Sequence, residues 1–548
     1  MKHPVIAIGL DSAEPELIEK WMSEGHLKNL ASLKQQGAYG RLVNMEYYKG
    51  ESAWTNFLTG CLPHKTGYWS KFNFNPQTYE PKVKGSFGAY DYKEIPPFYA
   101  LGDKYRVAMF DMPQTTISDK VNGIQVVAWG AHAPMIHRKS QPENLVFDLV
   151  KQYGDHPADT LNHRDRSDWY NTASVEKLRK DLEVGLERRT AITKDLLSRE
   201  RWDFFLTDIG ETHTAQHYFW HLSQPSHPLY KLTADPNHDP LLEYFEAVDR
   251  SLGEMLAAAP EDAQVLVFSV HGQGDNSTDI LSMVVLSEFL YRFSFPGKYM
   301  VKSQPMGSPL GDPQAPPNTT EGWYKQLPNL KYESESVKLR KDILKGLEPI
   351  LPGKIHRRLA KLMGMAPPPM SYHPTSWYHK YWSQMKAFAL PGFSDGYIRI
   401  NLKGRESKGV VSLAEYDAVC NELIAQLHQL VDARTGEPVV KEVIRTRENP
   451  MDTNPKLPDA DLAVIWGDNA VDTVDSPKYG RIGPIFFNRT GAHRARGFVV
   501  AKGPGIEAGS TLTEAHAIDL APTILELMGA PIPEYMDGKP LLKTKVLV

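Results

Sequence analysis

The chain has 548 residues, of which 41% are hydrophobic and 23% are charged, and its formal net charge is -4. A chain of this length exceeds the size of a single hydrophobic core, so we expect one large domain with insertions, or two domains. The composition is that of a globular protein, and the lack of a basic excess argues against binding to duplex nucleic acid.

The N-terminal segment MKHPVIAIGLDS leads directly into an apolar strand and lacks the basic start, long apolar stretch and cleavage site of a secretory signal. No stretch approaches the ~18 consecutive apolar residues of a membrane-spanning helix. The two cysteines, Cys61 and Cys420, are expected to be free thiols in the core. These features predict a cytoplasmic protein that does not bind membranes, and they leave its oligomeric state open.

Short apolar runs alternate with amphipathic helical stretches along the chain. The predicted strands are Val5–Leu10, Val107–Phe110, Trp202–Thr207, Gln264–Ser269, Leu462–Trp466 and Gly497–Ala501, and the clearest predicted helices are Pro15–Glu24 and Val175–Arg199. This alternation predicts an α/β fold with a mostly parallel central sheet that is covered by helices on both faces. Sites in such folds form at the carboxyl ends of strands, where Asp11, Asp208 and His271 lie in this sequence.

The composition changes between residues 287 and 389, where the chain is rich in proline, aromatic and basic residues. We interpret residues 287–389 as an insertion or cap region and residues 1–286 and 390–548 as the core. The basic stretch KLRKDILKGLEPI within the insertion is typical of a solvated helical face, and a contact to substrate is the alternative.

Several segments resemble, in the same order, the type I phosphodiesterase and nucleotide pyrophosphatase family. They are IGLDSAEPELIEKW, SAWTNFLTGCLPHKTGYW, ETHTAQHYFW, VFSVHGQGDN, GAHRARGFVVAKGPGI and AIDLAPTILELMGAPIPEYMDGKPL. The resemblance implies the alkaline-phosphatase-like fold. It also implies two divalent cations, usually zinc, that hold a phosphoryl group while a Thr or Ser at a helix N-terminus attacks phosphorus.

The resemblance implies metal binding by Asp11, His213, His217, His271 and His493. His213 takes the place of an aspartate in the family pattern. Because His213 and His217 lie four residues apart, both imidazoles share one face of a helix, as a pair of metal ligands requires. A helix cap at Asp11 and ordinary core histidines are the alternatives.

Two positions depart from the family pattern. Val270 stands where the family has a metal-binding aspartate, and Gly50 stands at the position of the nucleophile. Ser52, close to the start of the following helix, could attack in place of the missing hydroxyl, and a plain helix cap is the alternative reading of it. Water bound to the metal is the other candidate attacking group, and His271 is the candidate acid or base.

The loss of carboxylates changes the charge of the site. Two divalent cations would leave three uncompensated positive charges if Asp11 were the only carboxylate ligand, so one tightly bound ion, zinc, is expected. Asp208, Glu211 and Asp275 are the carboxylates that could substitute for the lost ligand or orient a ligating imidazole. Three histidines with one open position form a recognised catalytic zinc arrangement.

The sequence therefore predicts a metal-dependent hydrolase, or a transferase, that acts on a small phosphate or sulfate ester, with a phosphodiester or nucleotide-like substrate as the first choice. The alternative is a member of the superfamily that has lost catalysis or changed its reaction and uses the old cleft to bind a ligand. The missing nucleophile favours the alternative, whereas the four retained histidines favour the hydrolase.

Overall fold

A computed structural model of the protein describes residues 3–83, 88–130, 136–158, 172–301, 304–313, 323, 373–513 and 515–542. Its helices are α1 (Pro15–Ser23), α2 (Lys28–Gln36), α3 (Ala53–Thr59), α4 (Pro63–Thr66), α5 (Leu145–Tyr153), α6 (Thr172–Ser198), α7 (Glu211–Ser223), α8 (Tyr230–Thr233), α9 (Pro240–Ala257), α10 (Leu286–Ser294), α11 (His379–Trp382), α12 (Tyr416–Leu427) and α13 (Leu520–Leu527). A π-helical segment, Ile280–Val285, leads into α10.

The central sheet has ten strands. They are β1 (Val5–Leu10), β2 (Ala38–Val43), β5 (Gly102–Phe110), β6 (Val121–Val127), β7 (Lys139–Gln141), β8 (Phe204–Ile209), β9 (Gln264–Ser269), β19 (Arg496–Lys502), β20 (Ser510–Thr511) and β21 (Ala515–His516). Their order across the sheet is β20, β2, β19, β9, β1, β8, β5, β6 and β7, and β21 pairs with β2. The five neighbours β9, β1, β8, β5 and β6 are mutually parallel. The predicted α/β fold with a mostly parallel sheet is confirmed.

Helices cover both faces of this sheet. Side chains alternate between the faces of a strand, so Ile6 and Ile8 of β1 pack with α1, α6, α7 and α9, whereas Val5 and Ala7 pack with α3 and α13 on the opposite face. All six residues of β1 are buried. A strand that is covered on both sides must be apolar throughout, which is why the run VIAIGL is recognisable in the sequence.

A second sheet lies outside the central one. It consists of β11 (Ala387–Leu390), β12 (Gly396–Ile400), β15 (Leu462–Trp466) and β14 (Val440–Arg445), in that order, and its pairs are antiparallel. The expectation that Leu462–Trp466 belongs to the parallel sheet is therefore wrong. This strand is fully buried, so its sequence has the same unbroken apolar character as a central parallel strand.

The remaining strands form small sheets. They are β3 (Phe72–Phe74) with β4 (Pro81–Val83), β10 (Gly272–Asp275) with β18 (Gly491–Arg494), and β13 (Val431–Asp432) with β16 (Val474–Ser476) and β17 (Gly480–Ile482). Most of the expected insertion, including KLRKDILKGLEPI, lies outside the described residues, so its boundaries stay a prediction. Within the described part of the chain, no helix is both long enough and apolar enough to span a membrane.

Candidate metal centre and active site

Three adjacent parallel strands carry the predicted site residues to one edge of the central sheet. Asp11 directly follows β1, His271 lies two residues beyond β9, and α7 begins two residues beyond β8. Because the carboxyl ends of parallel strands meet at the same edge, residues that are about 200 positions apart in the chain become neighbours here.

His213, His217 and His493 form a compact group, called here the three-histidine cluster. The ring centroids of His213 and His217 are 4.5 Å apart, and the ring of His493 lies 5.0 Å from each of them. His493 reaches the other two because β18 pairs with β10, with His493 opposite Gln273. One nitrogen of each ring lies within 4.8 Å of the others, which is a spacing that a metal ion could bridge.

Hydrogen bonds orient the His217 ring for metal binding. Its Nδ1 lies 2.6 Å from the Gly491 carbonyl oxygen, which can only accept, so Nδ1 carries the proton and Nε2 carries a lone pair. The Gln273 side-chain amide also lies 2.6 Å from Nδ1, and a protonated Nδ1 fits the oxygen of that amide rather than its nitrogen. The tautomer of His217 is therefore the one that a ligand through Nε2 needs.

Arg489 is a site residue that the sequence analysis missed. Its Nη1 donates to His217 Nε2 at 2.9 Å, while its Nε and Nη2 bind the two carboxylate oxygens of Asp279 at 2.6 and 2.9 Å. Burial and the neighbouring Arg489 charge hold the pKa of His217 well below its usual range. A cation that binds Nε2 would have to replace this contact of the Arg489 guanidinium.

Asp11 and His271 form the other half of the site. The buried Asp11 carboxylate accepts from Trp54 Nε1 at 3.1 Å, and it lies 3.0 Å from His213 Nδ1 and 3.5 Å from His271 Nε2. The His271 ring centroid is 4.6 Å from that of His493, so this half adjoins the three-histidine cluster. Val270 is buried and offers no ligand, so Asp11 is the carboxylate that this half retains.

Glu211 and Asp275, two of the three carboxylates that were expected to replace or orient a metal ligand, form hydrogen bonds with other residues. Burial acts to raise the pKa of Glu211, but Arg189 and His156 outweigh it and lower that pKa to about 2. Arg189 Nε donates to both oxygens of Glu211, at 2.8 and 2.9 Å. Asp275 accepts from Trp220 Nε1 at 2.7 Å. Both carboxylates thus have partners other than the three-histidine cluster, and their role as substitute or orienting ligands stays a prediction.

Asp208 differs from these two carboxylates. Its carboxyl group packs on the backbone of Gly9, and both of its oxygens lack a hydrogen-bond partner among the described residues. Burial and the nearby Asp11 charge raise the pKa of Asp208 well above its usual range.

Gly50 has no room for a nucleophilic side chain. A Cβ atom at this position would lie 2.7 Å from Cδ2 and 3.1 Å from Cγ of the His493 ring. The Gly50 N–H donates to Ser394 Oγ at 3.2 Å, which fixes this loop beside His493. The His493 ring thus occupies the space that a side chain at position 50 would need.

Restoring a hydroxyl by Gly50→Thr is therefore expected to impair the site. The new side chain would displace His493, and misplacing this ring should weaken the zinc affinity that is expected of the cluster by about 10- to 100-fold. Zinc titration with a competing chromophoric chelator measures this loss. Gly311→Thr is the matched control, since nothing lies within 4 Å of its added Cβ. Wild-type zinc affinity in Gly50→Thr would contradict the described packing of His493.

The Ser52 hydroxyl is engaged within its own helical turn. It donates to the Tyr48 carbonyl oxygen at 3.1 Å and accepts from Asn56 Nδ2 at 3.3 Å. Ser52 is buried, and its side chain makes no capping hydrogen bond at the start of α3. Its described partners include none of the site histidines.

Ser12 is a second residue that the sequence analysis missed. Its hydroxyl lies 3.3 Å from His271 Nδ1, 3.4 Å from His213 Nδ1 and 3.5 Å from His493 Nδ1. Its backbone φ is 60°, in the left-handed region that residues other than glycine rarely adopt. A serine directly after the strand-ending aspartate is the signal in the sequence that could have identified it.

Comparison with known proteins identifies the family of this chain. The family model of type I phosphodiesterase / nucleotide pyrophosphatase matches residues 5–386. One similar solved structure is phosphonoacetate hydrolase from Sinorhizobium meliloti in complex with phosphonoformate, with 12% identity, 96% of each chain covered and a TM-score of 0.46.

Another similar structure is murine ectonucleotide pyrophosphatase / phosphodiesterase 5, with 11% identity, coverage of 99% of this chain and 100% of that chain, and a TM-score of 0.47. No curated protein sequence matches the chain significantly. The family match spans well over half of the 548 residues and confirms the resemblance found in the sequence motifs. The chain belongs to the type I phosphodiesterase / nucleotide pyrophosphatase family, a family of phosphoester hydrolases.

Proposed function

We propose that this protein is a metal-dependent hydrolase of small phosphate esters, with a phosphodiester or nucleotide-like compound as substrate. The observation that carries the proposal is the three-histidine cluster, His213, His217 and His493, whose ligand atoms lie within 4.8 Å of one another in a chain of this family. Clusters of this type at the carboxyl edge of a parallel sheet are common catalytic metal sites.

The donor set favours one zinc ion. Three imidazoles are neutral ligands with nitrogen donors, which suit zinc and leave a fourth position open for substrate. One divalent ion beside Asp11 leaves one positive charge at the site, whereas two ions would leave three. An uncompensated charge in a buried site is costly, so the single ion is the stable state.

The residues around the cluster supply the remaining functions of a phosphoester site. A zinc ion at the cluster would act as a Lewis acid toward a phosphoryl oxygen. Arg489 is held by Asp279 with Nη1 facing the cluster, so it can bind a second phosphoryl oxygen. Trp54 fixes the Asp11 carboxylate beside His213 and His271. Together these groups orient a tetrahedral anion against the sheet edge.

Two observations favour a second candidate function, in which the chain binds an anionic ligand without turning it over. Gly50 offers no hydroxyl and no room for one, and Val270 offers no carboxylate. A cleft with zinc, Arg489 and Asp11 but no attacking group would retain affinity for a phosphate ester. The two candidates differ in turnover rather than in binding.

A panel of chromogenic esters tests the proposal. The purified protein is assayed with bis(4-nitrophenyl) phosphate, 4-nitrophenyl phosphate, the 4-nitrophenyl ester of thymidine monophosphate and 4-nitrophenyl sulfate. We expect turnover of at least one phosphodiester, its loss after treatment with a chelator, and its recovery with zinc. Absence of turnover for every ester, together with saturable binding of the diester, would favour the binding candidate. Turnover that is unchanged after verified metal removal would contradict metal dependence.

A further inference from the structure

We infer that the Ser12 hydroxyl is the attacking group of this enzyme, in the place of the side chain that Gly50 lacks; this inference rests on the proposed function. The family position of the nucleophile is filled by the His493 ring, since a Cβ on Gly50 would lie 2.7 Å from it. Another hydroxyl must therefore occupy the reacting centre if the reaction has a covalent step.

Ser12 Oγ lies between the two halves of the site. On one side it contacts His213 and His493 of the three-histidine cluster, at 3.4 and 3.5 Å from their Nδ1 atoms. On the other side it contacts His271 Nδ1 at 3.3 Å and the Asp11 carboxylate at 3.4 Å. A hydroxyl group that is surrounded by four functional side chains is placed where a phosphoryl group would meet the metal ligands and a base at once.

The backbone holds this hydroxyl in place at a cost. A φ of 60° strains the backbone of a residue other than glycine, and such strain persists only where the surroundings enforce it. The Ser12 carbonyl accepts from Gln216 Nε2 at 2.6 Å, and the Ala13 N–H donates to the Leu10 carbonyl at 3.1 Å. These bonds fix a sharp turn at the end of β1 that presents the hydroxyl to the cluster.

His271 and Asp11 complete an arrangement that can activate Ser12. His271 Nδ1 faces Ser12 Oγ at 3.3 Å, and His271 Nε2 faces Asp11 Oδ1 at 3.5 Å. A base that is hydrogen-bonded to the hydroxyl and oriented by a carboxylate is the arrangement of a serine–histidine–aspartate triad. The distances are long, as they often are before substrate draws the groups together.

The proposed reaction uses no reactant other than the phosphate ester and water. Ser12 Oγ attacks phosphorus as its proton passes to His271 Nδ1, and a bond from Oγ to phosphorus forms while the bond from phosphorus to the leaving oxygen breaks. The leaving alcohol takes the proton from His271. Water then attacks the phosphorus bound to Ser12 as one water proton passes to His271 Nδ1. The bond from Oγ to phosphorus breaks, the product phosphate monoester leaves, and Ser12 Oγ takes the proton from His271.

Among the described side chains around Ser12, His213 is the one that is exposed to solvent. Ser12 is fully buried, as is Asp11, whereas the His213 side chain is 16% exposed and is the most exposed of the surrounding imidazoles. The phosphoryl group therefore approaches along His213, on the side of the three-histidine cluster.

The test uses Ser12→Gly, because glycine accepts the φ of Ser12 without strain and the variant should fold at least as stably as the wild type. We expect its kcat/KM for the turned-over diester to fall by about 10³-fold or more while its zinc content is unchanged. Ser287→Ala is the matched control: Ser287 is also buried, and its hydroxyl donates to the Met283 carbonyl within a helix. Acid quenching of the wild type during turnover, followed by peptide mass spectrometry, should place the phosphoryl group on Ser12.

Each outcome decides between attacking groups. Phosphoserine at Ser12 and an inactive Ser12→Gly variant with wild-type zinc support the inference. Phosphate on Ser52, or no phosphopeptide during wild-type turnover, would overturn it, and so would a Ser12→Gly variant within tenfold of wild-type kcat/KM. In those cases the wild type still hydrolyses esters, so the proposed function stands. If the wild type hydrolyses no ester, the proposed function itself fails.

Discussion

If the proposed function is correct, His217→Ala should remove both zinc binding and hydrolytic activity. His217 is the member of the three-histidine cluster whose tautomer is fixed by the Gly491 carbonyl, and its Nε2 accepts from Arg489 Nη1. Two remaining imidazoles bind zinc weakly. Metal stabilisation of the transition state is worth several kcal/mol, which corresponds to a loss of about 10³-fold in kcat/KM.

The matched control for this variant is His221→Ala. His221 lies one turn further along α7, is buried as His217 is, and has its Nδ1 3.0 Å from Thr490 Oγ1. It is not part of the three-histidine cluster. Elemental analysis and ester kinetics on both variants check the prediction, and a His217→Ala protein that keeps zinc and activity would remove the cluster from the mechanism.

Arg189→Met should lower the free energy of unfolding by about 3–5 kcal/mol at pH 7, because it would leave two buried carboxylates without their cation. Arg189 Nη2 donates to Asp111 Oδ2 at 2.8 Å, and its Nε donates to both oxygens of Glu211. The guanidinium also lies 5.3 Å from the centroid of the Trp129 ring. Glu211 begins α7, so this network anchors the helix that carries His213 and His217.

The pH dependence of this effect follows from Glu211. Its folded pKa of about 2 lies below the unfolded value of ~4.3, so the carboxylate contributes stability above pH ~4.3 that is lost as the pH falls toward 2. Without Arg189 the buried carboxyl group takes up a proton readily, and the difference between variant and wild type should shrink between pH 7 and pH 4. Urea unfolding at both pH values measures it.

Arg179→Met is the control for Arg189→Met. Arg179 lies on the same helix, α6, and pairs with Glu176 and Glu183 near the surface. Such pairs contribute about 0–1 kcal/mol. Equal destabilisation by the two substitutions, or an Arg189→Met effect that grows as the pH falls, would show that the buried network does not stabilise the start of α7.

The sequence predicted the parts of the molecule that local pattern determines. The buried runs Val5–Leu10 and Gln264–Ser269 are strands with those bounds, because a strand covered on both faces must be apolar. His213 and His217 share a helix face because their spacing matches one turn. These features depend on neighbours in sequence.

The sequence could not supply features that arise from packing between distant segments. The Leu462–Trp466 run is apolar for the same reason as a central strand, but its partners lie in another sheet. In the sequence, Glu211 resembles a metal ligand because it lies close to two histidines. In the structure it is bound by Arg189, which lies on another helix. Ser12 gains its role from contacts with three histidines between 201 and 481 positions away.

Elemental analysis of the purified wild-type protein tests the central claim most directly. The three-histidine cluster and the single remaining Asp11 carboxylate predict close to one zinc ion per chain, and His493→Ala should reduce this value toward zero. Two tightly bound ions per chain would show that Asp208 or another carboxylate has restored the second site. A wild-type chain that binds no zinc when the metal is supplied would contradict the metal centre itself.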